Sequence, residues 1–170
     1  MKTQQKQVAE WMRKFSQEVR DVPTIPPLEE RKLRAKLILE EALETIDALG
    51  FDVNYDIVWR DIHTPKENQL EKIADGIADS LVVQLGTAVA CGIDIEPVFA
   101  EVMRSNDSKL WSIKDLEILE QINDHEGKHK VTGEIYDVTC VDIVRLLYGV
   151  ADKDGKVIKS PSYSPAKILI

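Results

Sequence analysis

The chain has 170 residues, enough for one domain with a real core, and its 44% hydrophobic and 31% charged content excludes a disordered or fibrous protein. Acidic residues outnumber basic ones by 30 to 22, giving a net charge of -8. That balance excludes a nucleic-acid binder working through a basic face.

No signal peptide is expected, because Met1–Gln7 is polar and no apolar core follows it. The longest apolar stretch, roughly Ser80 to Ile93, is too short to span a bilayer and carries Gln84. A cytoplasmic, reduced protein with no membrane partner is the expectation. Of the cysteines, Cys91 and Cys140, the first falls within an apolar helix and reads as a small core residue.

A first amphipathic helix is expected from Gln4 to about Val22, with Val8, Trp11, Met12, Phe15 and Val19 on one face. Pro23, Pro26 and Pro27 break it, and a second helix runs from about Pro27 to Leu49, stopping at Gly50. Phe51–Pro65 has no helical period and reads as a loop. A third helix spans about Lys66 to Cys91 and stops at Gly92; from Gly76 onward its only charge is Asp79. A fourth, about Ile95 to Ser105, has Asp94 as its N-cap and Pro97 in its first turn.

Beyond Leu110 the periodicity weakens. Ser112–Asn123 has helical spacing, Glu126–Lys130 is a charged loop, and Val141–Tyr148 fits a short helix or a buried strand. Asp152–Ile158 holds a tight turn flanked by strand, and Ser160–Pro165 reads as an extended tail.

Two acidic stripes stand out against this pattern. At about 100° per residue, Glu40 and Glu44 share one helical face, and so do Asp75 and Asp79, with Glu41 beside the first pair. An isolated EExxE is commonly a solvated run. Here both stripes lie among leucines, valines and alanines, where unpaired carboxylates are costly and repel one another. A hard divalent cation between them resolves both problems, and oxygen donors without histidine or cysteine suit Mg2+, with Mn2+ as a substitute.

Other chemistries fit less well. A di-iron bundle needs Glu-x-x-His on its helices, and neither acidic helix has a histidine. His125 and His129 flank a loop sequence, and His63 stands alone. No glycine-rich phosphate loop or nucleophile elbow occurs. Arg104-Ser105-Asn106-Asp107-Ser108-Lys109 follows the fourth helix and could grip phosphate oxygens, although alone it is an ordinary helix-ending turn.

Taken together, these residues resemble the all-α nucleoside triphosphate pyrophosphohydrolases, the MazG-like superfamily, and within it the phosphoribosyl-ATP pyrophosphohydrolase-like branch. The EExxE signature is Glu40-Glu41-Ala42-Leu43-Glu44. The second acidic motif is Asp75-Gly76-Ile77-Ala78-Asp79, followed by Gly86-Thr87-Ala88. An R-S-N-x-S-K segment matches Arg104–Lys109, and a D-G-K-V-x-K-x-P-x-Y tail matches Asp154–Tyr163. Gly76 stands where the usual ExxD glutamate would fall, so Asp75 serves from one position earlier, and Val82 replaces a common aromatic.

The resemblance implies an all-α fold: a four-helix MazG-like bundle core with a less regular C-terminal extension. Residues 1–170 would form one domain, with an insertion at 112–150. It also implies Mg2+-dependent cleavage of a nucleoside triphosphate between the α and β phosphates, giving nucleoside monophosphate and pyrophosphate. Glu40, Glu41, Glu44, Asp75 and Asp79 would be the metal ligands. Glu40 or Glu41 would be catalytic, the division between them being open. Asn106 and Lys109 would bind substrate, with Lys156, Lys159 and Tyr163 as weaker candidates from the tail. A non-catalytic nucleotide-sensing module of the same fold is the alternative that the Gly76 departure keeps open, and a helical assembly protein with acids as surface charge is a third. The third helix is apolar on more sides than one small bundle can cover, so a homodimer or dimer of dimers is expected.

Overall fold

The computed structural model describes residues 2–53, 68–116, 136–142, 147–152 and 155–169. Four long helices carry the chain: α1 Lys2–Lys14, α2 Leu28–Ala48, α3 Gln69–Ala90 and α4 Ile95–Asp107. They are followed by a short strand, β1 Trp111–Ser112, and by β2 Tyr136–Asp142 and β3 Leu147–Asp152. The expected all-α class holds, with one small sheet added at the C-terminal side. Trp59, His63, His125, His129 and most of the expected loop Phe51–Pro65 lie outside the described residues.

The helix ends follow from local chemistry. Proline before α2 leaves its carbonyl free to accept from the Arg31 N–H at 3.0 Å. Glu29 and Glu30 in the first turn favour the positive end of the dipole. At the other end Gly50 takes φ 90°, the Gly50 N–H reaches the Asp47 carbonyl, and the Phe51 N–H reaches that of Ile46. Gly92 closes α3 by the same paired bonds, from Gly92 to Val89 and Ile93 to Ala88. Both glycines supply the left-handed residue this ending requires. Asp94 caps α4 as expected, its carboxylate accepting from the Glu96 N–H.

Three expectations need correction. The first helix ends at Lys14, not near Val22, because Ser16 turns left-handed at φ 53° and the Gln17 N–H folds back onto the Met12 carbonyl. The fourth helix continues to Asp107, so Arg104, Ser105 and Asn106 stand on its last turn and not beyond it. Cys91 is exposed at the end of α3 and is no core residue. Where a helix or strand was open at Val141–Tyr148, Asp142 ends β2 and Leu147 begins β3.

The chain divides into two compact units, Met1–Asp21 with Val82–Ile170, and Val22–Leu81. In the first, the sheet has the order β1-β3-β2, antiparallel throughout, with Trp111 opposite Tyr148 and Val138 opposite Val150. Val150 and Trp111 are its buried centre, with Leu116, Tyr148 and Ile158 packed against them. The indole N–H of Trp111 donates to the Ile158 carbonyl at 3.2 Å, so this large side chain leaves no orphaned donor. Phe15 is buried at the end of α1, and Lys14 reaches both carboxylate oxygens of Asp107 at 2.8 Å, tying α1 to α4.

The second unit holds α2 and the first half of α3, and neither helix has a buried residue. The apolar side chains of α3, more than one small bundle was expected to cover, are open: Val82, Val83 and Val89, which belong to the first unit, are 70%, 68% and 79% exposed. By length and composition alone α3 could also cross a membrane, because as a continuous 22-residue helix it exceeds the apolar stretch counted from sequence.

Phe15 also sets a close contact. A Cβ on Gly149 would stand 3.2 Å from the Phe15 Cα and ring, and 3.4 Å from the Lys14 carbonyl. Gly149→Ala should therefore lower unfolding free energy by about 1–3 kcal/mol, the usual cost of overpacking. A denaturant midpoint equal to wild type would contradict this packing.

Candidate active site

The candidate residues are five carboxylates on α2 and α3, all within the second unit, and a cationic turn at the end of α4, within the first. On α2, Glu40, Glu41 and Glu44 are all exposed, and on α3 so are Asp75 and Asp79. The helices deliver the expected spacing, with Glu40 one turn before Glu44 and Asp75 one turn before Asp79. Exposure corrects the premise that the acids are buried: in the single chain they face solvent together with the apolar residues around them.

Each stripe offers hard oxygen donors with neither histidine nor cysteine among them, and this donor chemistry fits Mg2+ or Mn2+. Gathering is another matter. Among the described residues no three acidic, histidine or cysteine side chains come close enough to share an ion. The single chain thus presents two carboxylate pairs and not a closed cage.

The backbone around the acids is reinforced locally. Thr45 Oγ1 donates to the Glu41 carbonyl at 2.8 Å, and Ser80 Oγ donates to the Gly76 carbonyl at 2.7 Å. Gly76 and Gly86 have no atom within 4 Å of the place a Cβ would occupy. Glycine costs about 1 kcal/mol inside a helix, and no neighbour among the described residues requires it at either position.

The R-S-N-x-S-K turn is far more ordered than sequence suggested, because it binds the tail. Ser105 is buried and its hydroxyl donates to the Tyr163 hydroxyl oxygen at 3.1 Å. Ser108 Oγ accepts from the Ser164 N–H at 2.9 Å, while Ser160 Oγ donates to the Ser108 carbonyl at 3.0 Å. Arg104 donates to the carbonyls of Ser164 and Pro165 and to Ser164 Oγ, at 3.1 to 3.3 Å. Glu101 holds the same guanidinium through two bonds of 2.8 and 2.9 Å and accepts the Lys167 N–H as well.

The hydrogen bond from Arg104, with that from the Lys167 N–H, lowers the Glu101 carboxyl from 4.5 to about 2, against a weaker opposing effect of burial. The same bond raises Arg104 above its ordinary value. A depressed carboxyl stabilises the fold above its unfolded value and loses that contribution as pH falls toward the folded one. The Glu101 contribution is therefore complete above about pH 4.5 and fades toward pH 2.

Of the cationic candidates, Lys109 has its ammonium 5.8 Å from the centre of the Trp11 ring, and Lys159 lies 4.8 Å from that of Tyr163. Asn106 is half-buried on the last turn of α4. Sequence reasoning missed Glu101, Arg104, Ser105, Ser108 and Ser160 as partners. It also missed Asp115, a buried carboxylate that burial would raise but that bonds from Ser112 and Ser162 hold below its usual value. The signal was there in the paired motifs at Arg104–Lys109 and Asp154–Tyr163, both expected to serve the substrate but not to bond to each other.

Comparison with known proteins bears on the same residues. The family model for phosphoribosyl-ATP pyrophosphohydrolase matches residues 8–106, covering both acidic stripes and all of α4 up to Asn106. Neither the curated proteins nor the solved structures compared with the chain gave a match. With the helical fold, the paired carboxylates and that span of match, the chain belongs to the phosphoribosyl-ATP pyrophosphohydrolase family, pyrophosphohydrolases of the MazG-like superfamily that act on acid anhydrides.

Proposed function

We propose that this chain is a Mg2+-dependent nucleoside triphosphate pyrophosphohydrolase working in the cytoplasm, with phosphoribosyl-ATP-like nucleotides among its substrate class. The reading rests on one observation above all. Two solvent-open carboxylate pairs stand on consecutive long helices, inside the segment that matches the family. Such pairs are accessible to an ion and a polyanion that come from solution.

Glu41, Glu44, Asp75 and Asp79 would hold the metal, which when bound neutralises triphosphate charge. Glu40 takes the proton from the attacking water, whose oxygen bonds to the α phosphorus as the α–β bridging bond breaks. Pyrophosphate leaves with the bridging oxygen and the monophosphate keeps the new one. Glu41 is the other candidate for the proton, because both glutamates sit on the same turn. Asn106 and Lys109 contact phosphate or sugar, with Lys156, Lys159 and Tyr163 contributing from the tail.

A homodimer, or a dimer of dimers, covers the open apolar surface of α3. The support is threefold: Val82, Val83 and Val89 are exposed, no residue of α3 is buried, and Gly76 and Gly86 leave room for a close neighbour. Asp75 and Asp79 in the same helix are costly in a bilayer, which favours protein over lipid as the cover. Binding of nucleic acid finds no support in a chain of net charge -8.

Release of pyrophosphate from a panel of canonical, deoxy and oxidised nucleoside triphosphates and phosphoribosyl-ATP tests the activity. Turnover should require Mg2+ or Mn2+ and vanish with chelator. Glu44→Gln or Asp79→Asn should lower kcat/KM about 100-fold or more, since several kcal/mol of transition-state charge stabilisation are at stake. Nucleotide binding without turnover would overturn catalysis in favour of a sensing module. In sedimentation without detergent the chain should run as a dimer or larger at micromolar concentration, and a strict monomer would sink the assembly.

A further inference from the structure

The R-S-N-x-S-K turn and the C-terminal tail are joined by a set of bonds that metal ligation by the acids leaves unexplained. Arg104 alone meets Ser164 and Pro165 through three bonds, and Glu101 fixes the guanidinium from the opposite side. Ser108 bonds the tail at two places, Ser160 and Ser164. Asp115 adds a third anchor through Ser162 Oγ at 2.9 Å. Alternate tail residues, Ser160, Ser162 and Ser164, therefore all carry a bond to the body of the same unit.

This docking has a geometric result. Lys109 follows Ser108 and Lys159 precedes Ser160, so each lysine is one residue from the 3.0 Å bond between Ser160 and Ser108. Tyr163, held at its hydroxyl by Ser105, carries the Lys159 ammonium over its ring. Trp11 of α1 carries that of Lys109. Two ammonium groups are thus supported on aromatic faces and rooted on either side of one bond, in a chain whose net charge is negative. Charged side chains held in this way lose less freedom on binding an anion than loose surface lysines do.

We propose that Arg104 and Ser108 are positioning residues: they clasp the tail to α4 so that Lys109 and Lys159 form a paired-cation subsite for the polyphosphate of the substrate. The inference rests on the triphosphate reading above and deepens it. Arg104 itself meets Glu101 and the tail, and acts through Lys159. Glu101 serves as the counter-ion that aims it.

The test uses the full chain, Mg2+ and inorganic tripolyphosphate, with Kd from calorimetry and Tm from thermal melts. Arg104→Ala and Lys159→Ala should each weaken tripolyphosphate binding about 10-fold, the scale of one lost charge-assisted hydrogen bond. The double variant should be no weaker than the worse single one, because both changes disable the same subsite. Arg104→Lys keeps the charge beside Glu101 but not the fork that spans three tail acceptors. It should match the alanine variant in Kd while holding Tm closer to wild type.

A lowered Tm with unchanged Kd would reduce Arg104 to a structural residue and overturn the proposal. So would multiplied losses in the double variant, or no tripolyphosphate binding by wild type. Normal hydrolysis with Kd indifferent to Arg104 would defeat the clasp alone. Tripolyphosphate binding that depends on Arg104, without hydrolysis of any nucleotide, would defeat the proposed activity and leave the clasp standing.

Discussion

The cost of burying carboxylates among apolar residues is the constraint on which the rest of this structure turns. Glu40 with Glu44 and Asp75 with Asp79 cannot be packed into an apolar core, and the chain leaves both pairs open to solvent. The apolar residues that share those helices stay open with them, since neither α2 nor α3 buries a single side chain. A helix that is apolar on one row and anionic on the next needs two kinds of partner at once. A protein surface would answer the first requirement and a cation the second. In the proposed function the same cation would also serve the cleavage of an acid anhydride in a polyanion.

Packing is uneven as a result. The buried centre lies in the other unit, where Trp111, Val150 and Phe15 gather around a three-stranded sheet. Gly149 permits the approach of Phe15, and the Ile158 carbonyl accepts the Trp111 indole N–H. The same unit holds α4 and the tail, joined by charge-assisted and hydroxyl bonds in place of apolar area. The buried apolar centre and the five acids of α2 and α3 thus belong to different units.

How much of this was legible depends on distance along the sequence. Helix ends set by Pro27, Gly50, Gly92 and Asp94 were readable, because each acts on its own neighbours. The early end of α1 was not: Ser16 in a left-handed conformation carries no signal comparable to glycine. Strand was an open reading near Val141–Tyr148, but the pairing escaped because β1 meets β3 across 35 or more positions, with Trp111 opposite Tyr148 and Ser112 opposite Leu147. Site residues followed the same rule. Periodicity placed the acid pairs correctly on their helices, but could not say that they would be exposed. The bonds from Arg104 and Ser108 to the tail span more than 50 residues, and only folding reveals them.

The central claim is that these carboxylates form a divalent-cation site, and electron paramagnetic resonance of Mn2+ reads it without reference to any substrate. Titrated into the protein, Mn2+ should bind saturably, with Mg2+ competing, and Asp79→Asn or Glu44→Gln should abolish that binding while the helical content is unchanged. Binding that is absent in wild type, or that either variant leaves unchanged, would contradict the account.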